Sequence, residues 1–306
     1  MQLKTLIEKF LLAYKGIYSP NTVVWYENRF KPLLKEFEHK EISEMTIDDL
    51  RKLYVKLAEV KVLYEDHPHK GRKPIKKGYS RHSLHSFARS WKRLFRWATE
   101  EKHLKINLAA HLSLPRLPDP DPKVVSPENV NLLLRAVKKY STNSIRDYAI
   151  IRFLASTNAR VSGVSSLKLA DLDIEQKVAK VHEKGKGGNG KTRPVFLGPL
   201  AAEAMKAWLN QRPESDNKRV FMLTPSGISQ ILERMAEKAN LEGPHNPHAF
   251  RHGFAKGVLG QGANLAQVSQ LMGHSDSSVT VKYYGQFATE ELQKFHDRYL
   301  WVPDDK

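Results

Sequence analysis

Apolar residues recur at helical spacing along most of this chain. Ser19-Pro20-Asn21-Thr22 opens a helix with proline in its first turn, and Val23, Tyr26, Phe30, Leu33, Leu34 and Phe37 follow three and four residues apart. Thr46-Ile47-Asp48-Asp49 reads as a capping box ahead of Leu50, Leu53 and Leu57. A third long helix is predicted from about 80 to 101, with Leu84, Phe87, Trp91, Phe95 and Ala98 as its apolar stripe. Ser126-Pro127-Glu128 starts another helix, and 145–155 is apolar enough to be a buried one. The period shifts to two at 178–182 and 193–197, on either side of a glycine-rich turn, which predicts a hairpin. Asn264 and Gln267 cap a helix that carries Leu265, Val268 and Leu271, and Leu292, Phe295 and Tyr299 share a stripe near the C-terminus. Pro115, Pro118, Pro120 and Pro122 forbid both a helix and a central strand. The expected layout is a helical domain at 1–112, a linker at 113–125 and a second domain at 126–306. The fold class is mainly α in two domains: an N-terminal helical bundle, then a mixed α/β, mostly helical domain with a small β-hairpin.

Charge narrows the function. Fifty Lys and Arg against 33 Asp and Glu in 306 residues leave a formal net charge of +17, which predicts a polyanionic partner. The excess is local. Residues 60–97 hold 11 Lys and Arg against two Asp and Glu. Lys70, Arg72, Lys73, Lys76, Lys77 and Arg81 crowd a loop, and Arg89, Lys92, Arg93 and Arg96 ride the helix after it. A solvated face normally mixes signs, so these ten are candidate phosphate contacts. Cysteine is absent, which excludes disulfides, thiolate nucleophiles and cysteine-based metal sites. No apolar run reaches 18 residues and no signal-peptide pattern opens the chain, so a cytoplasmic, nucleoid-associated protein without membrane contact is expected.

Gly185-Lys186-Gly187-Gly188-Asn189-Gly190-Lys191-Thr192 spells a nucleotide-binding P-loop. That loop must lead into a helix whose first amides face phosphate, whereas Arg193-Pro194-Val195-Phe196-Leu197 reads as a strand. The segment is expected to be a hairpin tip that offers Lys184, Lys186, Lys191 and Arg193 to a DNA backbone.

Further chemistry-bearing residues remain. Arg160 ends the apolar helix, where a guanidinium needs a fixed anion; Asp171 and Asp173 are possible partners. His248 and Arg251 are three apart, on one helical face. His274 follows Met272-Gly273, and Tyr283 and Tyr284 follow nine and ten residues later. Phosphodiester exchange without metal needs these types: arginines on the non-bridging oxygens, histidines for hydrogen bonds or protons, a lysine to protonate the leaving oxygen, and a tyrosine to keep the bond energy in a covalent link. Each also has an ordinary reading. The tyrosines can be core residues, and His245, His248 and His252 can be a metal cluster, although no acidic or thiol ligand lies near them in sequence.

Taken together, the set resembles the tyrosine recombinases, or phage integrases, including Xer-like resolvases. Thr157-Asn158-Ala159-Arg160-Val161-Ser162-Gly163 is similar to that family's first arginine box, and Leu167, Leu169 and Asp171-Leu172-Asp173 continue the likeness. The hairpin lysine maps to Lys186, the H-x-x-R box to His248 and Arg251, and the L-G-H box to His274. The nucleophile maps to Tyr283, after Thr280, with Tyr284 as its rival. Asn21-Thr22 and Tyr26 resemble the signature of the family's helical, SAM-like core-binding domain. Two residues depart from the pattern: Asn158 stands for glycine, and Gly163 for the acid that supports the active-site arginines and histidine. Glu175, Asp171 or a partner would have to supply that support.

The resemblance implies a catalytic set of Arg160, Lys186, His248, Arg251, His274 and Tyr283, with no cofactor and no metal. It implies a clamp on double-stranded DNA with paired half-sites, a 3′-phosphotyrosyl intermediate and a Holliday junction. It implies a homo-tetramer on DNA, a monomer or weak dimer when free, an accessory directionality protein in some systems, and a C-terminal helix near 289–301 exchanged between neighbours. An arm-binding domain is not expected in this length. The other classes weighed are a type IB topoisomerase, a catalytically weak or inactive site-specific DNA binder, and a metal-dependent nuclease.

Overall fold

The computed structural model describes residues 1–63, 74–118, 122–184, 190–273 and 277–284. The chain divides into two compact units, Met1–Asp119 and Pro120–Lys306, and the division falls among the prolines of 113–125. The 289–301 segment lies outside the described residues.

Among the described residues the first unit holds four helices: α1 (Leu3–Lys15), α2 (Pro20–Phe37), α3 (Ile47–Glu59) and α4 (Arg81–Glu100). Ser19 caps α2 by accepting from the Thr22 amide at 3.3 Å. Thr46 and Asp49 form the expected capping box of α3, each side chain accepting from the other's amide. Helix α4 is the spine of the unit and packs against α1, α2 and α3. Its buried face presents Leu84, Phe87, Trp91, Leu94, Phe95 and Ala98. Trp91 is fully buried, and its indole N–H donates to the Arg29 carbonyl at 3.1 Å, so its one polar atom is satisfied. Phe10 of α1 meets Phe30 and Trp97 edge-on with centroids 5.4 and 5.3 Å apart.

The second unit opens with α5 (Pro127–Tyr140) and α6 (Ser144–Thr157), followed by α7 (Val161–Ser166) and a 3-10 turn at Leu169–Asp171. A three-stranded antiparallel sheet of β1 (Leu172–Asp173), β2 (Val178–Lys184) and β3 (Gly190–Phe196) comes next, in that spatial order. Then follow α8 (Pro199–Gln211), α9 (Pro225–Lys238), α10 (Pro247–Gly260), α11 (Leu265–Met272) and α12 (Ser277–Tyr284). Helix α6 is central, packed by α5, α8 and α10, with Ile150, Ile151, Phe153 and Leu154 buried. Among the described residues, no helix is long and apolar enough to cross a membrane.

The hairpin is longer than its sequence pattern predicts. Pairing runs from Val178 opposite Phe196 to Lys184 opposite Gly190, so β2 continues two residues beyond His182 and β3 starts three before Arg193. Pro194 is tolerated because β3 is an edge strand and needs no donor on its outer side. A strand, not a helix, follows Gly190, so the P-loop string lacks the helix that would hold phosphate. Helices α1, α7, α8, α9 and α12 and strand β1 are additional to the elements assigned from the sequence pattern.

Candidate active site

The junction of α6 and α7 sets the site. Helix α6 stops at Asn158, which adopts a left-handed conformation with φ 50° and ψ 17°. Asparagine tolerates this better than most residues, which accounts for its presence where glycine is expected. The turn sends Arg160 out as the N-cap of α7. The Asn158 carbonyl accepts from Arg251 Nη1 at 2.7 Å and from Arg193 Nη2 at 3.4 Å. Its side-chain Oδ1 accepts from Arg193 Nη2 at 2.9 Å. One left-handed residue thus anchors two guanidinium groups from β3 and α10.

A buried carboxylate joins them. The Glu183 side chain is 2% exposed. Its Oε1 accepts the Arg160 amide at 2.8 Å and Arg193 Nη2 at 3.2 Å, and its Oε2 accepts Arg160 Nη1 at 2.5 Å and Arg193 Nε at 3.3 Å. Burial pushes this carboxyl up, but the Arg160 amide and the Arg193 guanidinium outweigh that and hold it below the usual glutamate range. From the sequence, Glu175, Asp171 or a partner is expected to support the active-site arginines, and Asp171 or Asp173 is the ordinary salt-bridge partner for Arg160. In the structure Asp171 meets His182 Nε2 at 3.0 Å, Glu175 is exposed, and Arg160 pairs with Glu183 instead.

Arg193 was expected on DNA. It is 6% exposed, and besides Glu183 and Asn158 it donates to the Leu271 carbonyl at 2.7 Å. Buried and fully engaged, it is an internal strut between the hairpin and α11, not a surface contact. Gly273 ends α11 with φ 65°, and a Cβ there would stand 2.5 Å from Arg193 Cδ. Both the conformation and the space demand glycine before His274.

Arg251 lies in α10, 3% exposed, and also donates to the Met272 carbonyl. Burial, followed by the nearby Arg160 charge, lowers it to about 10. His248, one turn earlier, is exposed at the surface of α10; partial desolvation and then the Arg251 and Arg160 charges push it below the usual histidine value. It is therefore a neutral imidazole at pH 7, able to accept a proton. His252 is lowered by burial and by His248 and Arg251, and hydrogen-bonds the Tyr284 hydroxyl. Tyr284 is 7% exposed and packs with Ala255, Val268 and Met272. The rival tyrosine is a core residue. Tyr283 occupies the preceding position of α12. Lys186 and His274 lie outside the described residues. His245 is drawn away to Glu233 at 2.9 Å and the Gly243 carbonyl, so it does not join His248 and His252. Among the described residues, no three His, Cys, Asp or Glu side chains gather as metal ligands would.

The basic face of the first unit is divided. Lys76, Lys77, Arg81, Arg89 and Arg96 are exposed. Lys92 turns inward and donates to the Ala110 and Leu112 carbonyls at 2.8 and 2.9 Å, tying down the chain after α4. Arg93 donates to the Tyr14 hydroxyl and lies over its ring, 5.4 Å from the centroid. Both are partly buried and make these contacts within the unit, while the Arg93 side chain stays 33% exposed. Arg96 pairs with Glu100 at 2.8 Å. Lys191 is exposed at the start of β3; Lys184 ends β2; and Lys70, Arg72 and Lys73 lie outside the described residues.

Comparison with known proteins adds the following. The phage integrase family model matches residues 123–290. The tyrosine recombinase XerD of Vibrio vulnificus is 29% identical over 310 residues, covering 96% of this chain and 94% of its own. The tyrosine recombinase XerC of Myxococcus xanthus is 31% identical over 222 residues, covering 68% and 72%. Among solved structures, the Tn1549 transposon integrase in complex with circular intermediate DNA superposes with a TM-score of 0.74 at 18% identity, over 96% of this chain and 99% of that one. The XerH site-specific recombinase bound to its difH substrate gives 0.70 at 18% identity, over 97% and 84%.

Proposed function

This chain belongs to the phage integrase family of tyrosine recombinases and is an enzyme that breaks and rejoins DNA; from that premise we propose that it exchanges strands between two duplex sites through a 3′-phosphotyrosyl intermediate and a Holliday junction. The observation that carries the reading is the gathering of Arg160, Arg251 and His248 around the left-handed turn at Asn158.

In this reading Arg160, Arg251 and His274 hold the non-bridging oxygens of the scissile phosphate and offset the charge of the pentavalent transition state, Arg251 leaving its Asn158 and Met272 carbonyl partners to do so when DNA binds. The Tyr283 hydroxyl attacks phosphorus, its proton passing toward His248. The bond to the 5′ oxygen breaks, and Lys186 gives that oxygen a proton. The 5′ hydroxyl of the partner duplex then attacks the phosphotyrosine and releases Tyr283. A second round resolves the junction. The number of bonds is conserved, so no external energy source enters. Two sites of two half-sites call for four protomers, assembled on cytoplasmic DNA from monomers or weak dimers, with an accessory protein able to set direction.

The test is recombination between two copies of a candidate site drawn from DNA flanking the gene, carried on one supercoiled plasmid. Exchanged products and a Holliday intermediate support the reading. Relaxation without exchange would identify a topoisomerase-like strand transferase instead, and tight site binding without either would identify a binder.

A further inference from the structure

Gly163 and Glu183 occupy one another's space. Gly163 is buried on α7, and a Cβ built on it would stand 3.2 Å from Glu183 Cγ, 3.3 Å from Val181 Cβ and 3.5 Å from Glu183 Oε1. Any side chain at 163 would press on the stem of the buried carboxylate. The carboxylate in turn meets Arg160 at both its amide and its Nη1. The cluster needs this charge. Arg160, Arg193 and Arg251 put three guanidinium groups together, and Arg251 is lowered by the other two but raised by Glu183. An arginine has five N–H donors in a fixed fork. Gripping one end fixes the plane of the rest, and the Arg160 side chain remains 34% exposed, as an anion-binding group must be.

We propose that Glu183 is the positioning residue for Arg160, a carboxylate supplied from strand β2 in place of one from helix α7, with Gly163 as the space cleared for it. This rests on the strand-exchange reading above and deepens it. Glu183 is buried and acts through Arg160. The prediction is reciprocal: position 163 stays small because 183 is acidic.

The test compares the wild-type chain with Glu183→Gln, Glu183→Ala, Gly163→Ala and the relocation variant Gly163→Glu/Glu183→Ala. Glu183→Gln keeps the shape and an acceptor for the Arg160 amide, so it is the variant most able to fold. Two quantities are read: the single-turnover rate of covalent adduct formation at saturating nicked duplex, and the side-chain NMR signal of the Arg160 guanidinium in the free protein. Glu183→Gln is expected to slow the adduct step on the order of 10²-fold, the effect of losing the alignment of a reacting group, at a temperature where the variant is fully folded and with DNA affinity close to wild type, while its Tm falls because a buried charge has lost its partner. It should also release the hindered rotation of the Arg160 guanidinium. Gly163→Ala should show the same changes to a smaller degree, and the relocation variant should regain rate over Glu183→Ala alone. A Glu183→Gln protein with wild-type rate and hindered Arg160 rotation overturns the proposal, as does a rate loss that only tracks a fall in Tm. A wild-type chain that forms no adduct counts against strand exchange, whereas the Arg160 signal still decides whether Glu183 holds that arginine.

Discussion

Asn158 and Gly273 are the two left-handed residues on which the arginines rest. Asn158 ends α6 and offers both its carbonyl and its amide oxygen to guanidinium groups; Gly273 ends α11 and makes room for Arg193. Asn158→Gly should keep the turn but leave the buried Arg193 short of an acceptor, lowering stability by about 1–3 kcal/mol in urea unfolding. A neutral result would show that water replaces the amide. Gly273→Ala should cost about 1–3 kcal/mol through left-handed strain alone, and more if Arg193 cannot shift. His248 sets a pH expectation. Because its pKa lies below the usual value of 6.5, the neutral base persists as pH falls through 6.5, and adduct formation should fall only on the acid side of that point. A rate already halved at pH 7 would contradict a lowered His248. The arginines and histidines of the site were legible as residue types at characteristic spacings. The bonds that orient them were not, because carbonyls and left-handed turns leave no mark in the spacing of side chains.

The helices were legible where caps and stripes agree. The α3 capping box is written in Thr46 and Asp49 and stands as expected. Thr46→Ala should cost about 1 kcal/mol, measurable by thermal unfolding, because the Asp49 amide loses its acceptor; an unchanged Tm would mean that the first turn of α3 is held by packing alone. The hairpin shows what alternation hides. Ala179, Val181 and Glu183 share the inward face of β2, and the same period places His182 outside. The apolar alternation ends at His182 because the next inward residue is charged, and a buried charge breaks a pattern built on apolar residues. Carrying the alternation one step further would have put Glu183 in the core and asked for its partner.

At the scale of the whole molecule, a charge of +17 predicts a polyanion but not which cations meet it. On α4 the basic residues look alike in sequence and do different work. Lys92 secures backbone carbonyls, while Arg81 and Arg89 remain exposed. Neutralising Lys76, Lys77, Arg81 and Arg89 should weaken DNA binding and flatten its dependence on log salt by roughly 0.9 per lost phosphate contact. Lys92→Met should instead lower the stability of the first unit and leave the salt slope unchanged. The reverse outcome would return Lys92 to the DNA. Composition therefore gave the class of partner, and only packing sorted contacts from struts.

The claim on which the rest depends is that Tyr283, and not its buried neighbour Tyr284, becomes joined to DNA. The direct measurement is covalent trapping on nicked suicide duplexes drawn from DNA flanking the gene, with EDTA present and peptide mapping of the adduct. The expected result is a single phosphotyrosyl peptide containing Tyr283, lost in Tyr283→Phe with DNA affinity retained, and still formed by Tyr284→Phe. An adduct that survives Tyr283→Phe, or that maps to another residue, would contradict it.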